Sequence, residues 1–340
     1  MQLYRLLAFV SECVNFNYDE IISSARQKAS EILGGNESGI FFSKSTTAGI
    51  QIFILGYPWQ KDDEVLLPEC EFPANRLSWL GLGQRGVKVR LIKTPQYKIT
   101  LKDIENNCNS KTKVITISWV QYISGQRVSL EKLGGFCKSN NIMLVVDAIQ
   151  GLGAYAMNAQ ECGVSWVSAD GHKWLCGPEG IGIVWASEEA MNVVQPPCKG
   201  WFGVVKPFDF EALDQDFANN ASKYNDGSPN ILGIMALSSA CAMLLSSGID
   251  RISQRITALS NYAISKIKSY NWHILTPLNE EERAGIITFK PQDKDSYNIF
   301  SILKQNSIIC SVRAGYLRIS PHAFNTESDL DNFFTVLERI

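Results

Sequence analysis

Ser168-Ala169-Asp170-Gly171-His172-Lys173-Trp174-Leu175, followed by Gly177-Pro178-Glu179-Gly180-Ile181-Gly182, sets a lysine between two apolar, strand-like runs, 164–169 and 181–185. Most lysines lie in charged, solvated stretches. A lysine held between buried strands loses proton affinity through desolvation, and its free amine can attack a carbonyl. Read alone, His172-Lys173 fits a solvated surface loop better. The rest of the chain reverses that balance.

Outward from this point, short apolar runs alternate with helix-length stretches. Strand-like runs cover 40–42, 64–67, 87–92, 114–118, 142–147, 166–169 and 181–185, and helix-like stretches cover 18–33, 46–55, 74–82, 130–139 and 230–246. Near-continuous apolar strands such as Met143-Leu144-Val145-Val146 are expected where helices cover both faces of a sheet. This alternation predicts an α/β domain with a mostly parallel sheet. The remainder reads as a smaller α+β unit: a helix over 249–270, a strand over 285–289, a helix over 296–305, strands over 308–313 and 316–320, and a helix over 329–340. The expected division is a short N-terminal segment (1–17), a large domain (18–240) and a small C-terminal domain (241–340), with the boundary near 235–250 unmarked by any linker.

The chain has 340 residues, 45% hydrophobic and 19% charged, with net charge −2. That suits a soluble globular protein with a sizeable core and gives no reason to expect a nucleic-acid or membrane partner. Nine scattered cysteines with no CxxC pair suggest neither a disulfide framework nor a zinc ribbon, which fits a reducing, cytoplasmic setting. Residues 1–14 are mildly apolar, but Arg5 and Glu12 interrupt them and no cleavage-like site follows, so a signal peptide is not expected. His172, His273 and His322 form no metal-ligand spacing, and no metal is expected.

Four further segments carry possible chemistry. Ser45-Thr46-Thr47 opens an amphipathic helix after a strand, which suits a phosphate or an ordinary N-cap. Asp147 ends the most apolar strand with Gln150 three residues on, at the strand end where α/β sheets bind ligands; a helix cap is the other reading. Arg318, flanked by strand residues, can clamp a carboxylate or form a structural ion pair. Gly81-Leu82-Gly83-Gln84-Arg85-Gly86 matches GxGxxG, but a helix precedes it and a strand follows, the reverse of a dinucleotide site. It reads as a helix C-terminal turn.

The ordered set resembles the class V aminotransferase and cysteine desulfurase family, fold-type I enzymes that use pyridoxal 5′-phosphate (PLP). It comprises the Ser-Thr-Thr helix start, Glu71-Phe72-Pro73-Ala74-Asn75, Asp147-x-x-Gln150, His172-Lys173 with Gly177-Pro178-x-Gly180-Ile181-Gly182, Gly227-Ser228-Pro229-Asn230, and Arg318-x-Ser320. The resemblance implies that Lys173 forms the Schiff base with PLP and shuttles the substrate's α-proton. Asp147 would pair with the pyridine nitrogen, Gln150 with the phenolic oxygen, and Thr46, Thr47 and His172 with the phosphate. Phe72 stands where desulfurases usually carry a ring-stacking histidine. Gln121 or Tyr122 would approach the phenolic oxygen. Gly227 and Ser228 would reach the phosphate of a neighbouring subunit, implying a homodimer with active sites at the subunit interface. Arg318 would bind the substrate's α-carboxylate.

Three departures from the family pattern stand out. Arg313-Ala314-Gly315 runs directly into Tyr316-Leu317-Arg318, leaving no room for the mobile loop with a nucleophilic cysteine, and Cys310 falls in an apolar strand. Asp170 stands where desulfurases often have serine. About 17 residues precede the first helix, fewer than in family members. The resulting expectation is a PLP-dependent enzyme acting on a small or medium L-amino acid, an aminotransferase first. C–S β-lyase or desulfurase-like activity and epimerisation are the alternatives, and a non-catalytic PLP-fold binding protein is a further one.

Overall fold

The computed structural model describes residues 17–292 and 294–339, so the readings made on residues 1–16 lie outside the described residues. Helix α1 (Tyr18–Leu33) starts at Asn17, whose side chain accepts from Glu20 N, and ends at Gly34 with φ 61°. Its apolar stripe, Ile22, Ala25, Ala29, Ile32 and Leu33, is buried.

Alternating strands and helices follow: β1 (Ile40–Ser43), α2 (Thr46–Gly56), β2 (Glu64–Pro68), α3 (Pro73–Leu80), β3 (Lys88–Ile92), α4 (Leu101–Asn107), β4 (Thr112–Ser118), α5 (Leu130–Ser139), β5 (Met143–Asp147), β6 (Trp166–Asp170), β7 (Gly182–Ala186) and α6 (Glu188–Val193). The seven strands form one sheet in the order β1-β7-β6-β5-β4-β2-β3. Strands β2 to β6 run parallel; β7 is antiparallel to both β6 and β1. The sheet is therefore the expected α/β core with one reversed strand.

Packing on both faces explains the apolar runs. Along β5, Leu144 and Val146 enter one core with α1, while Met143 and Val145 enter the other with α2. The period-two alternation is present, but both faces need apolar residues, so the sequence shows no polar alternation. Trp166 and Trp185 are fully buried, and truncating either to alanine would cost about 3–5 kcal/mol.

Helix α7 (Ile231–Ser247) packs on α1. Helix α8 (Ile249–Ser269) serves two cores: Ile252 and Ile256 face the large one, and Leu259, Ala263, Ile264 and Ile267 face a second. That second core surrounds an antiparallel sheet in the order β10-β11-β9-β8. Its strands are β8 (His273–Ile274), β9 (Ile287–Lys290), β10 (Ser311–Arg313) and β11 (Tyr316–Ile319), and α9 (Ser296–Gln305) and α10 (Glu327–Glu338) pack with them.

The structure shortens the strand expected over 308–313 to β10. It also starts the last helix at Glu327, because Thr326 and Asp329 form a capping box there. The GxGxxG segment is a 3-10 turn, Gly81–Arg85, closed by Gly86 at φ 76° ahead of β3. No single helix among the described residues is long and apolar enough to cross a membrane.

Candidate active site

The connection between β6 and β7 carries Lys173. It leaves the C-terminal end of β6 beside the ends of β4 and β5, where Ser118 and Asp147 pair in register. Ligands bind at this edge because strand ends and helix N-termini present free polar groups there. A cavity of about 190 Å³ lies at this edge, lined by Thr46, Thr47, Phe72, Asp147, Gln150, His172 and Lys173, seven of the residues singled out from sequence.

Asp147 is 2% exposed. Its Oδ1 accepts from Ile149 N at 3.0 Å. Among the described residues its Oδ2 has no hydrogen-bond partner. Burial pushes the carboxyl up to about 6, with the Ile149 hydrogen bond and Lys173 opposing the rise. A buried carboxylate with one free oxygen fits the protonated ring nitrogen of PLP.

Burial also lowers the pKa of Lys173; Arg318 and Arg313 add to that effect and Asp147 opposes it. Lysine Nζ lies 5.8 Å from the Phe72 ring centroid. Phe72 precedes α3 and packs edge-to-face on Tyr122 at 5.1 Å, so two aromatic rings form one wall. The Gln150 Oε1 accepts from Trp174 Nε1 at 3.1 Å, which turns the amide's NH2 end away from the indole and leaves it for a ligand. Of the two alternatives for the phenolic oxygen, Tyr122 lines the cavity. Gln121 is turned to the Cys70 Sγ at 3.2 Å.

The α2 end is built by hydroxyls. Ser45 Oγ accepts from Ala48 N at 3.1 Å, and Thr46 Oγ1 accepts from Asp170 N at 2.9 Å, fixing the helix start against β6. Ser168 Oγ donates to the Thr46 carbonyl at 3.0 Å. The helix N-terminus thus faces the cavity as an anion site. Asp170, the unexpected acid, has its Oδ1 3.1 Å from His172 Nδ1. The two are close but misaligned, and among the described residues neither atom makes a hydrogen bond.

Three residues expected at the site do not line this cavity. Arg318 Nη1 donates to the Tyr122 carbonyl at 2.7 Å and its Nε to Ser311 Oγ at 3.0 Å. Burial and neighbouring Arg313 lower its pKa to about 10. Gly227 and Ser228 lie in the loop ahead of α7, with Gly227 N donating to its neighbour Asp226 at 2.8 Å. Sequence reasoning missed Ser118, which lines the cavity beside Asp147. Its position at the end of an apolar parallel strand was the available signal.

The orphaned Asp147 oxygen, the amine beside an aromatic wall and the anion-binding helix start together fit PLP. Fold and site define a PLP-dependent enzyme of fold type I. More narrowly, the chain belongs to the aminotransferase class-V family, whose model matches residues 11–333. It is 24% identical to a probable cysteine desulfurase of Methanothermobacter thermautotrophicus, covering 94% of this chain and 83% of that one. It is 28% identical to a probable cysteine desulfurase of Borreliella burgdorferi, covering 88% and 76%. Among solved structures, the apo cysteine desulfurase of Thermococcus onnurineus matches with TM-score 0.86 at 22% identity, over 94% of this chain and 83% of that one. The cystine C–S lyase C-DES bound to its product, cysteine persulfide, matches with TM-score 0.88 at 18% identity, over 98% and 92%.

Proposed function

We propose that this protein cleaves the C–S bond of L-cysteine or L-cystine by PLP-dependent β-elimination, without carrying sulfur on a loop cysteine of its own. The observation behind this reading is the β10–β11 hairpin. Arg313 pairs directly with Tyr316, and only Ala314 (φ 50°) and Gly315 (φ 79°) join the strands. A two-residue turn of this kind is among the tightest hairpin connections. It occupies the place where the family resemblance puts the nucleophile-bearing loop. The relatives called probable cysteine desulfurases favour C–S cleavage over the aminotransfer expected first from sequence. The fold match to a cystine C–S lyase agrees with that preference.

When bound, PLP supplies an electron sink that acidifies the amino acid's α-hydrogen. Lys173, its proton affinity lowered by burial, is the base for that hydrogen. Asp147 Oδ2 would hold the proton on the ring nitrogen, and Gln150 the phenolic oxygen. Thr46, Thr47 and His172 would hold the phosphate, and Phe72 would cover the ring. Arg318, oriented by Tyr122 and Ser311, would bind the carboxylate. The β-sulfur then departs with the C–S bonding electrons, as sulfide from cysteine or as a persulfide from cystine.

We further infer a homodimer, in which Gly227 and Ser228 serve the neighbouring subunit's phosphate site, and a cytoplasmic location. Both residues lie outside their own chain's cavity, and the described cysteines are all unpaired. The test of the reaction is an amino-acid screen of the PLP-loaded protein with product analysis. The reading requires pyruvate and sulfide or persulfide from cysteine or cystine. Keto-acid formation that depends on an amino acceptor would establish aminotransfer instead.

A further inference from the structure

Glu71 is a carboxyl group with no exposure to solvent and, among the described residues, no cation bonded to it. Its Oε1 accepts from Ser118 N at 2.8 Å, and its Oε2 accepts from Ser118 Oγ and from Asn75 Nδ2 at 3.0 Å. Asn75 in turn accepts from Trp79 Nε1 at 3.1 Å and Thr116 Oγ1 at 2.6 Å. Every member is satisfied within the network. Such networks rigidify their surroundings and are costly to break.

The placement is specific. Glu71 immediately precedes Phe72, which forms the aromatic wall, and grips Ser118, which lines the cavity and lies opposite Asp147 in the sheet register. One carboxyl therefore ties the start of α3 to the end of β4, beside the acid expected to face the ring nitrogen. We propose that Glu71 is a positioning residue of the cofactor site, holding Phe72 at the cavity wall and setting a second buried carboxyl beside the strand end that carries Asp147.

The electrostatics agree with the geometry. Burial pushes Glu71 up to about 7, hydrogen bonds from Ser118 and Asn75 hold it down, and Asp147 raises it further. The groups facing it are few. Among the described residues, strand β4 offers it Ser118, with the Thr116 hydroxyl one step away on Asn75, and β5 offers Asp147, which Lys173 faces in turn. Its own turn offers Cys70, whose thiol Glu71 and Glu69 both help raise, although burial is the larger cause. A negative Glu71 favours the protonated, cationic form of the lysine-linked cofactor.

Glu71→Gln keeps the shape and removes the charge. The test is a pH titration of the bound cofactor's visible absorption, with PLP affinity and the melting temperature of the apo-protein measured alongside. These readouts need no substrate, so they are independent of the reaction proposed above. The expected result is a midpoint lowered by at least about half a pH unit, together with weaker PLP binding. Ser118→Ala, which removes a donor from the carboxylate but leaves the acid, is expected to move the midpoint in the same direction by less. If Glu71→Gln does not fold, Ser118→Ala alone decides. A pH profile that superimposes on wild type overturns the proposal, whatever happens to melting temperature.

Discussion

Replacing Asp147 with asparagine is predicted to stabilise the apo-protein while crippling its use of PLP. In the fold the carboxyl rises from its ordinary 3.8 to about 6. That difference corresponds to roughly 3 kcal/mol, at 1.36 kcal/mol per pH unit. Because the folded pKa lies above the unfolded one, the ionised carboxylate opposes folding. The penalty is absent well below pH 3.8, grows as pH rises, and is complete above about 6. Asparagine can still accept from Ile149 N, but its amide leaves a donor where Oδ2 already lacks a partner. An unpaired buried donor costs about 1–3 kcal/mol. The protonated acid carries a similar burden, so that cost largely cancels and the charge decides. Thermal unfolding of both apo-proteins across pH 4 to 8 should show the variant's advantage growing up to about pH 6 and then levelling. Saturating PLP should reverse the order, since ligand binding stabilises whichever protein binds more tightly. A variant equally destabilised at every pH would refute the reasoning, because Asp147 would then carry no buried-charge penalty.

Other substitutions test separate parts of the account. Gly49→Ala places a Cβ onto Ser168 Oγ and Val184 Cγ2 beneath the α2 start; overpacking there should cost about 1–3 kcal/mol in chemical denaturation. Ala314→Asn should raise the melting temperature slightly, because Ala314 sits at φ 50° and asparagine followed by glycine suits this turn. Arg318→Lys loses the fork that reaches both Tyr122 and Ser311; steady-state kinetics should show KM rising more than kcat falls.

Much of the sheet is readable from the chain, because strands buried on both faces must be apolar throughout. The runs ending at Asp147 and around Lys173 fall close to β5, β6 and β7. The reversal of β7 is invisible in them, since parallel and antiparallel buried strands look alike in composition. Short helices α4 and α6 escape because six or seven residues give too little periodicity, although Thr100 and Ser187 cap them. Lys173, Asp147, Thr46 and Thr47 stand out in the sequence because the family pattern restricts those positions to a few residue types, and all four line one cavity. The choice between Gln121 and Tyr122 was not legible, since adjacent residues in a loop point apart for reasons set by distant partners such as Cys70. Glu71 carries no signal of its own beyond its place in the Glu-Phe-Pro-Ala-Asn motif, because its contact with Ser118 joins residues 47 apart in the chain.

The most direct test of the central claim is intact-mass analysis of the PLP-loaded protein during turnover of L-cystine, with pyruvate measured in parallel. The account predicts pyruvate over many turnovers and a protein mass with no added sulfur. Stoichiometric sulfur on a cysteine of this chain, with turnover lost when that cysteine is replaced, would contradict it.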